Sequence, residues 1–124
     1  YSGFDIYKKS KLANVMFTYE LAKRVKDKGI TANCLHPGFV ATKFGNNNNI
    51  LWRSFIGFAK LLMAISVEDG AKTSIHLACS DEVKDITGKF FANSQVKKGS
   101  SKAKNEEHNR KLWEISEDFV EKFV

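Results

Sequence analysis

The first part of the chain has the apolar spacing of an amphipathic helix. Between Asp5 and Lys28, apolar side chains recur at every fourth position, at Ala13, Phe17, Leu21 and Val25. This period is close to the 3.6-residue turn, so the pattern predicts a helix with a broad apolar face. Basic residues crowd its last turns, where cations suit the helix dipole, and Gly29 follows as the expected stop.

Two short segments have the character of β-strands. Ile30–His36 alternates between two sets of side chains and is bounded by Gly29 and by Pro37-Gly38. Thr87–Ser94 is the second predicted strand. A helix followed by a tight turn and a strand makes half of an α/β layer.

Two further helices are predicted from composition and periodicity, and a third from its cap. Ile50–Ile65 is strongly apolar, with charge only at Arg53 and Lys60. Asn105–Val124 is an amphipathic terminal helix. The segments Phe39–Asn49 and Val96–Lys104 are predicted to be loops, the second of them basic.

The remaining helix has a recognisable start. Ser66 is the expected N-cap, with Asp69 three residues on as its capping-box partner. The helix is expected to run to about Cys79, with a core side made of Ala71, Ile75, Leu77 and Ala78.

This inventory predicts an incomplete sheet. Two central-looking strands cannot satisfy their backbone edges alone, and sheets usually hold about 5–6 strands. We therefore expect an α/β fold in which residues 1–124 are part of one larger domain, with further strands elsewhere.

Composition narrows the function classes. The 124 residues carry a net charge of +6, with 27% charged residues and 43% hydrophobic ones, as in globular chains. Lysines cluster in the loop Val96–Lys104, but no interleaved aromatics or nucleic-acid module accompany them, so a solvated loop is favoured. No apolar run is long enough for a membrane span.

Cysteine and histidine usage does not indicate a metal site. Cys34 and Cys79 lie far apart in apolar surroundings, without zinc-ligand spacing. We expect two buried, reduced thiols in a protein facing the cytosol. His36 is interpreted as a packing or hydrogen-bonding residue, and Cys34 has no evident activating base.

The first helix also carries a pair of residues suited to proton transfer. Tyr7 and Lys11 are four positions apart, which places both side chains on one helical face. A phenol, with an ordinary pKa of about 10, is a poor acid–base group at neutral pH. A neighbouring ammonium favours the phenolate, so the pair is a reasonable catalytic unit.

The spacing alone is a weak signal, because Tyr19 and Lys23 repeat it. The second pair is interpreted as a core tyrosine beside a solvated lysine. Tyr7 differs in context, since Ser10 precedes Lys11 and the helix leads to a strand that ends in Pro37-Gly38.

With these residues in place, the sequence resembles the short-chain dehydrogenase/reductase family, in its retinol dehydrogenase-like branch. The similarity lies in four segments: Tyr7 to Asn14, Asn33 to Thr42, Ser66 to Ala71, and Thr87 to Phe91, followed by Arg110 to Ser116. Their order matches the carboxyl-terminal half of that family. The resemblance implies part of a Rossmann-like, doubly wound parallel sheet.

The resemblance also implies roles for individual residues. Tyr7 would exchange the hydroxyl proton of an alcohol/carbonyl substrate, and Lys11 would assist it and bind the nicotinamide ribose. Pro37, Gly38 and Val40 would shape the loop beside the nicotinamide of NADP or NAD. Thr42 would reach the amide or pyrophosphate of that cofactor.

Other parts of the family pattern are not found in these residues. The Gly-rich phosphate loop, the catalytic serine and the relay asparagine belong upstream of Tyr7 in the family. We therefore expect the chain alone to be inactive. A non-catalytic interaction or regulatory fragment of the same fold is the alternative function.

The apolar segment 50–65 has three interpretations: ordinary core, a lid over a lipophilic retinoid- or steroid-like substrate, or a helix on a membrane surface. The resemblance further implies a homodimer through the helices at residues 5–28 and 66–79. The cytoplasm, or the cytosolic face of a membrane, is the expected location.

Overall fold

A computed structural model describes residues 2–40 and 65–123 of the chain. The predicted apolar helix of segment 50–65 lies outside these ranges, except for Ile65. The described helices are α1 (Gly3–Arg24), α2 (Val67–Cys79) and α3 (Glu106–Val120). The strands are β1 (Cys34–His36), β2 (Phe90–Ala92) and β3 (Gln95–Lys97).

The described strands form one mixed sheet in the order β1-β2-β3. β1 and β2 run parallel, with Leu35 opposite Phe91, and β3 pairs antiparallel to β2, with Val96 opposite Phe91. The α/β class is therefore confirmed, and the parallel pairing holds for the two predicted strands.

Both predicted strands are shorter than expected, although the segments before them are joined by hydrogen bonds. The Asn33 amide donates to the Ile86 carbonyl over 2.6 Å, and its oxygen accepts from the Lys89 backbone N–H over 3.0 Å. The Gly88 N–H also donates to the Ala32 carbonyl over 2.8 Å. Side-chain and backbone bonds are thus mixed here, and the regular ladder starts only at β1 and β2.

The prediction of a loop from Val96 was wrong at its start, because β3 begins at Gln95. Asn93 and Ser94 have φ values of 53° and 56°, as a type I′ hairpin turn requires. The Ser94 N–H donates to Oγ1 of Thr73 over 3.0 Å, which ties the turn to α2. The rest of the predicted loop Val96–Lys104 contains a 3₁₀ turn at Ser101–Lys104.

The predicted helix ends agree with the structure where they depend on local capping. Ser66 Oγ accepts from the Asp69 N–H over 3.0 Å and lies 3.1 Å from the Asp69 carboxylate. Gly29 adopts the left-handed conformation, with φ of 67°, after a short 3₁₀ turn that follows α1. Asn105 caps α3 through its side chain, which accepts from the His108 N–H.

The core lies between the sheet and the helices, and Phe91 on β2 is its largest buried apolar side chain among the described residues. On the α1–α3 side, the rings of Phe17 and Trp113 stack 4.9 Å apart. The Arg24 guanidinium covers Trp113 at 4.7 Å and hydrogen-bonds the buried Glu20 carboxylate at 2.9 Å. The Arg24–Glu20 ion pair thus covers one edge of the contact between α1 and α3.

The expected core side of α2 was wrong at Ile75 and Ala78. Ile75 is 59% exposed and Ala78 is exposed, whereas Gly70 and Thr73 are buried and Leu77 is partly buried. The reason is that α2 turns its small residues toward the segment after β1 and toward the β2–β3 turn.

Candidate active site

Tyr7 and Lys11 lie on the same face of α1, as their spacing predicts. The Lys11 Nζ atom is 5.4 Å from the centre of the Tyr7 ring, and the Tyr7 side chain is 41% exposed. Ser10 Oγ donates to the Tyr7 carbonyl over 2.8 Å. The phenol and the ammonium therefore stand together at an accessible part of the helix.

α1 begins about one turn before this pair because of its N-cap residue, Ser2. Its side chain accepts from the Asp5 N–H over 3.4 Å, and Asp5 also forms an ion pair with Lys8 at 2.7 Å. A capping hydroxyl and an acidic first turn both stabilise a helix start. The helix therefore begins at Gly3, so that Tyr7 lies on its second turn rather than at its frayed end.

The repeated pair Tyr19 and Lys23 has a different environment. Tyr19 is partly buried, and burial, with the nearby Cys34, raises the pKa of its phenol. Lys23 forms an ion pair of 3.1 Å with Glu106 at the start of α3. This tyrosine is therefore harder to ionise, while its lysine joins two helices.

The turn after β1 holds Pro37, Gly38 and Val40 in one compact arrangement. Gly38 has a φ of 90°, and a Cβ atom there would lie 2.7 Å from Cδ1 of Ile65. Val40 pairs with Ile65 in a parallel bridge, and the Ile65 N–H donates to the Phe39 carbonyl over 3.0 Å. Glycine is thus favoured at position 38 by its positive φ, and any larger residue would also displace the end of the Ile65 side chain.

The first turn of α2 supports the same segment. Gly70 is buried, and a Cβ atom added there would lie 2.5 Å from Cγ2 of Val40. Sequence reasoning missed Gly70 and Ile65 as supports of this turn. A glycine in a helical segment that begins with a strong cap was the available signal, since glycine disfavours helix interiors.

Other predicted residues fall outside this arrangement. Thr42 lies outside the described residues. His36 is exposed, and Cys34 is partly buried, which raises the pKa of its thiol through desolvation. Cys79 is exposed, because α2 turns its last residue outward. The expectation of two buried thiols was therefore wrong for Cys79. Neither Cys34 nor Cys79 is in a disulfide bond.

Two general properties complete the description of residues 2–40 and 65–123. No three His, Cys, Asp or Glu side chains in these ranges are grouped so that they could hold a metal ion. Each described helix is also too short or too polar to span a lipid bilayer.

Comparisons with known proteins agree with this geometry. A family model described as short chain dehydrogenase matches residues 1–50. Retinol dehydrogenase 14 of Mus musculus is 40% identical over 122 residues, which are 97% of this chain and 36% of that protein. Retinol dehydrogenase 12 of Mus musculus is 39% identical over 119 residues, which are 94% of this chain and 36% of that protein. Retinol dehydrogenase 13 of Homo sapiens is 37% identical over 124 residues, which are 97% of this chain and 38% of that protein.

The resemblance to short-chain dehydrogenases/reductases, which the Tyr-x-x-x-Lys pair and the turn after β1 suggest, is confirmed by these matches. Within the family it is related to retinol dehydrogenases 11 to 14. The family implies a Rossmann-like fold, of which the mixed sheet described above is an incomplete part. The chain spans little more than a third of the length of the curated relatives it matches.

Proposed function

We propose that residues 1–124 form the carboxyl-terminal portion of an NAD(P)-dependent oxidoreductase that interconverts an alcohol and a carbonyl compound. The observation that carries this proposal is the placement of Lys11 beside the accessible Tyr7 ring. The relation to retinol dehydrogenases supports the same class of reaction.

In this proposal Tyr7 handles the substrate proton. During alcohol oxidation its phenolate oxygen takes the proton of the substrate hydroxyl, and during carbonyl reduction its hydroxyl returns one. Lys11 stabilises the anionic form of Tyr7 by its positive charge. Lys11 also has N–H donors for the ribose hydroxyls of the cofactor.

The residues present fit the nicotinamide end of NAD(P), which supplies or accepts the hydride when bound. Lys11 offers an exposed ammonium, and the segment from Pro37 to Val40 offers backbone groups. Thr42 would extend this contact. A Gly-rich loop for the pyrophosphate is not found in these 124 residues, so we propose that the chain alone does not turn over.

We propose a lipophilic substrate, of which a retinoid alcohol is the leading candidate. The names of the relatives support this choice. So does the apolar composition of segment 50–65, interpreted as a lid over the substrate. A cytosolic location, free or at a membrane face, is consistent with two free thiols.

We further propose a homodimer through α1 and α2. Large apolar side chains on these helices are exposed, including Ile6 at 49% and Val67 at 58%. Burial of such side chains against a second copy would remove apolar surface from water. Sedimentation of the protein at natural length would show a dimer, and a monomer at micromolar concentration would contradict this part.

The decisive assay uses the protein that carries this chain at its natural length. With NAD⁺ or NADP⁺ and all-trans-retinol, we expect reduced cofactor to form at a rate that depends on enzyme concentration. A short alcohol such as ethanol is the matched control and should be a poorer substrate. Failure with a panel of alcohols, aldehydes and ketones would favour the alternative, a non-catalytic interaction or regulatory protein of the same fold.

A further inference from the structure

A second concave site lies at the other end of α1. The groove has a volume of about 590 Å³ and is formed by the later turns of α1, the segment before β2, β3 with the residues after it, and the start of α3. Tyr19, which also lines the groove, is eight residues beyond Lys11, a rise of about 12 Å along a helix. The groove therefore lies on later turns of α1 than the Tyr7–Lys11 pair.

Lysines dominate this groove. Among the described residues that line it, six are lysines: Lys23, Lys26, Lys89, Lys97, Lys98 and Lys104. Glu106 is the acidic residue among them, and it is paired with Lys23 at 3.1 Å. Within the described ranges, the other five groove lysines make no ion pair.

The fold brings these lysines together from four separate segments. Lys23 lies on the last turn of α1, and Lys26 begins the 3₁₀ turn Lys26–Lys28 that follows it. Lys97 lies opposite Phe90 in the hairpin register, which places it one residue across from Lys89. A 3₁₀ turn at Ser101–Lys104 then returns Lys104 to the same groove.

All six groove lysines are exposed, so water and salt screen their mutual repulsion, and a bound anion would reduce it further. Like charges repel, and a concave surface of one sign concentrates counterions. The helix dipole explains cations at the end of α1. It does not explain the lysines that the hairpin and the 3₁₀ turn add to the opposite wall.

The groove also has apolar and backbone surface at its base. Ala22, Phe90 and Val96 line it together with Gly88 and Gly99. Its volume is in the range of small-molecule sites, which runs from about 300 to 1,000 Å³. Compact ammonium groups on flexible stems suit phosphate oxygens, which they approach as point charges.

We propose that this groove binds a small ligand that carries at least two phosphoryl charges. Neither the oxidoreductase chemistry nor the Tyr7 site requires it. The ligand's phosphoryl groups would lie between the α1 wall, with Lys23 and Lys26, and the hairpin wall, with Lys97 and Lys98. A soluble diphosphate and a phosphorylated lipid headgroup share this chemistry.

The first test is titration calorimetry of the natural-length protein with inorganic pyrophosphate. Lys97→Gln/Lys98→Gln and Lys23→Gln/Lys26→Gln each remove two cations from one wall. Because hydrogen bonds to charged groups are strong, each pair should weaken pyrophosphate binding at least about tenfold. Lys84→Gln/Lys111→Gln is the matched control, since it removes two exposed lysines outside the groove.

The outcomes separate a groove from general surface charge. Loss of affinity in both wall variants, with the Lys84→Gln/Lys111→Gln control within about twofold of the parent, supports the proposal. Equal weakening in the control, or an effect confined to one wall, overturns it. No binding by the parent at low ionic strength, where charge interactions are least screened, also overturns it.

A second arm identifies the source of the phosphoryl groups. Vesicles of phosphatidylcholine with about 5% phosphatidylinositol 4,5-bisphosphate, a lipid that clusters of basic residues recognise, are sedimented with the same proteins. Retention that both wall variants abolish identifies a lipid headgroup. Pyrophosphate binding without vesicle retention identifies a soluble ligand of the same chemistry.

Discussion

The Nζ atom of Lys11 lies 5.4 Å from the centre of the Tyr7 ring, one helical turn further along α1. The repeated pair, Tyr19 and Lys23, has the same spacing but a buried environment and an ion pair with Glu106. The same four-residue interval therefore produces two different chemical situations. This contrast provides a matched control on the same helix for tests of catalysis.

The first prediction concerns the charge on Lys11. Lys11→Met in the natural-length protein should lower kcat for alcohol oxidation by at least about tenfold, because the phenolate of Tyr7 loses its neighbouring cation. Lys11→Arg keeps the charge and should recover part of the rate. Initial rates of reduced-cofactor formation measure both variants.

Lys23→Met is the control for that experiment, since it removes the corresponding lysine of the repeated pair. It should leave kcat within about twofold of the parent, as expected of a residue outside the reacting groups. Equal losses at the two positions would show that Lys11 acts through helix stability rather than through Tyr7.

The second prediction concerns the contact between Gly70 and Val40. Gly70→Ala places a Cβ atom 2.5 Å from Cγ2 of Val40, so the turn after β1 must shift. Overpacking of this kind costs about 1–3 kcal/mol in the free energy of unfolding. Urea denaturation measures the loss, and Gly3→Ala is the control, because no atom lies within 4 Å of its added Cβ.

A double variant tests the cause of that loss. Gly70→Ala with Val40→Ala removes the two methyl groups that the new Cβ would meet. The double variant should be more stable than the sum of the two single changes predicts. Strict additivity would mean that Val40 is not the group that excludes a side chain at position 70.

The third prediction concerns the anchor of the β2–β3 turn. Thr73 is 3% exposed, and its Oγ1 accepts from the Ser94 N–H over 3.0 Å. Thr73→Val keeps the shape but leaves that N–H without its acceptor, which costs about 1–3 kcal/mol. Thr73→Ser keeps the hydroxyl and should lose less, as thermal or urea unfolding would show; equal losses would contradict the role of the hydrogen bond.

The fourth prediction concerns the reactivity of the two thiols. Burial raises the pKa of the Cys34 thiol, whereas Cys79 is exposed at the end of α2. A raised pKa leaves less thiolate at any given pH, and the thiolate is the reactive form. At pH 8, Cys79 should therefore react with iodoacetamide faster than Cys34, and the rate at Cys34 should still be rising as pH increases beyond that point.

Peptide mass spectrometry of the alkylated protein assigns each rate to its cysteine. Cys79→Ser should remove the faster reaction and leave the slower one unchanged. Faster alkylation of Cys34 than of Cys79 would contradict the described burial.

Local signals explain which parts of the fold could be predicted from sequence. The cap at Ser66 depends on Asp69 three residues away, and the stop at Gly29 depends on one residue's freedom to adopt positive φ. The Tyr7–Lys11 geometry likewise follows from helical spacing. Each of these features is encoded within one or two turns of chain.

Features set by distant partners could not be predicted in the same way. β3 has a fully exposed pattern, and its pairing depends on the Asn93-Ser94 turn and on Thr73 of α2. The support of Val40 by Gly70 joins residues thirty positions apart. The basic groove is also invisible in the sequence, where its lysines appear as a helix end and a solvated loop.

The most direct test of the central claim is the kcat of Tyr7→Phe compared with that of Tyr19→Phe, both in the natural-length protein with a saturating alcohol substrate and NAD(P)⁺. Each change removes one phenol oxygen and keeps the ring. Loss of a proton-transfer group should lower kcat at least about a hundredfold for Tyr7→Phe, while Tyr19→Phe keeps most of its activity. A Tyr7→Phe enzyme as fast as the parent would contradict the assignment of Tyr7 as the catalytic acid–base residue.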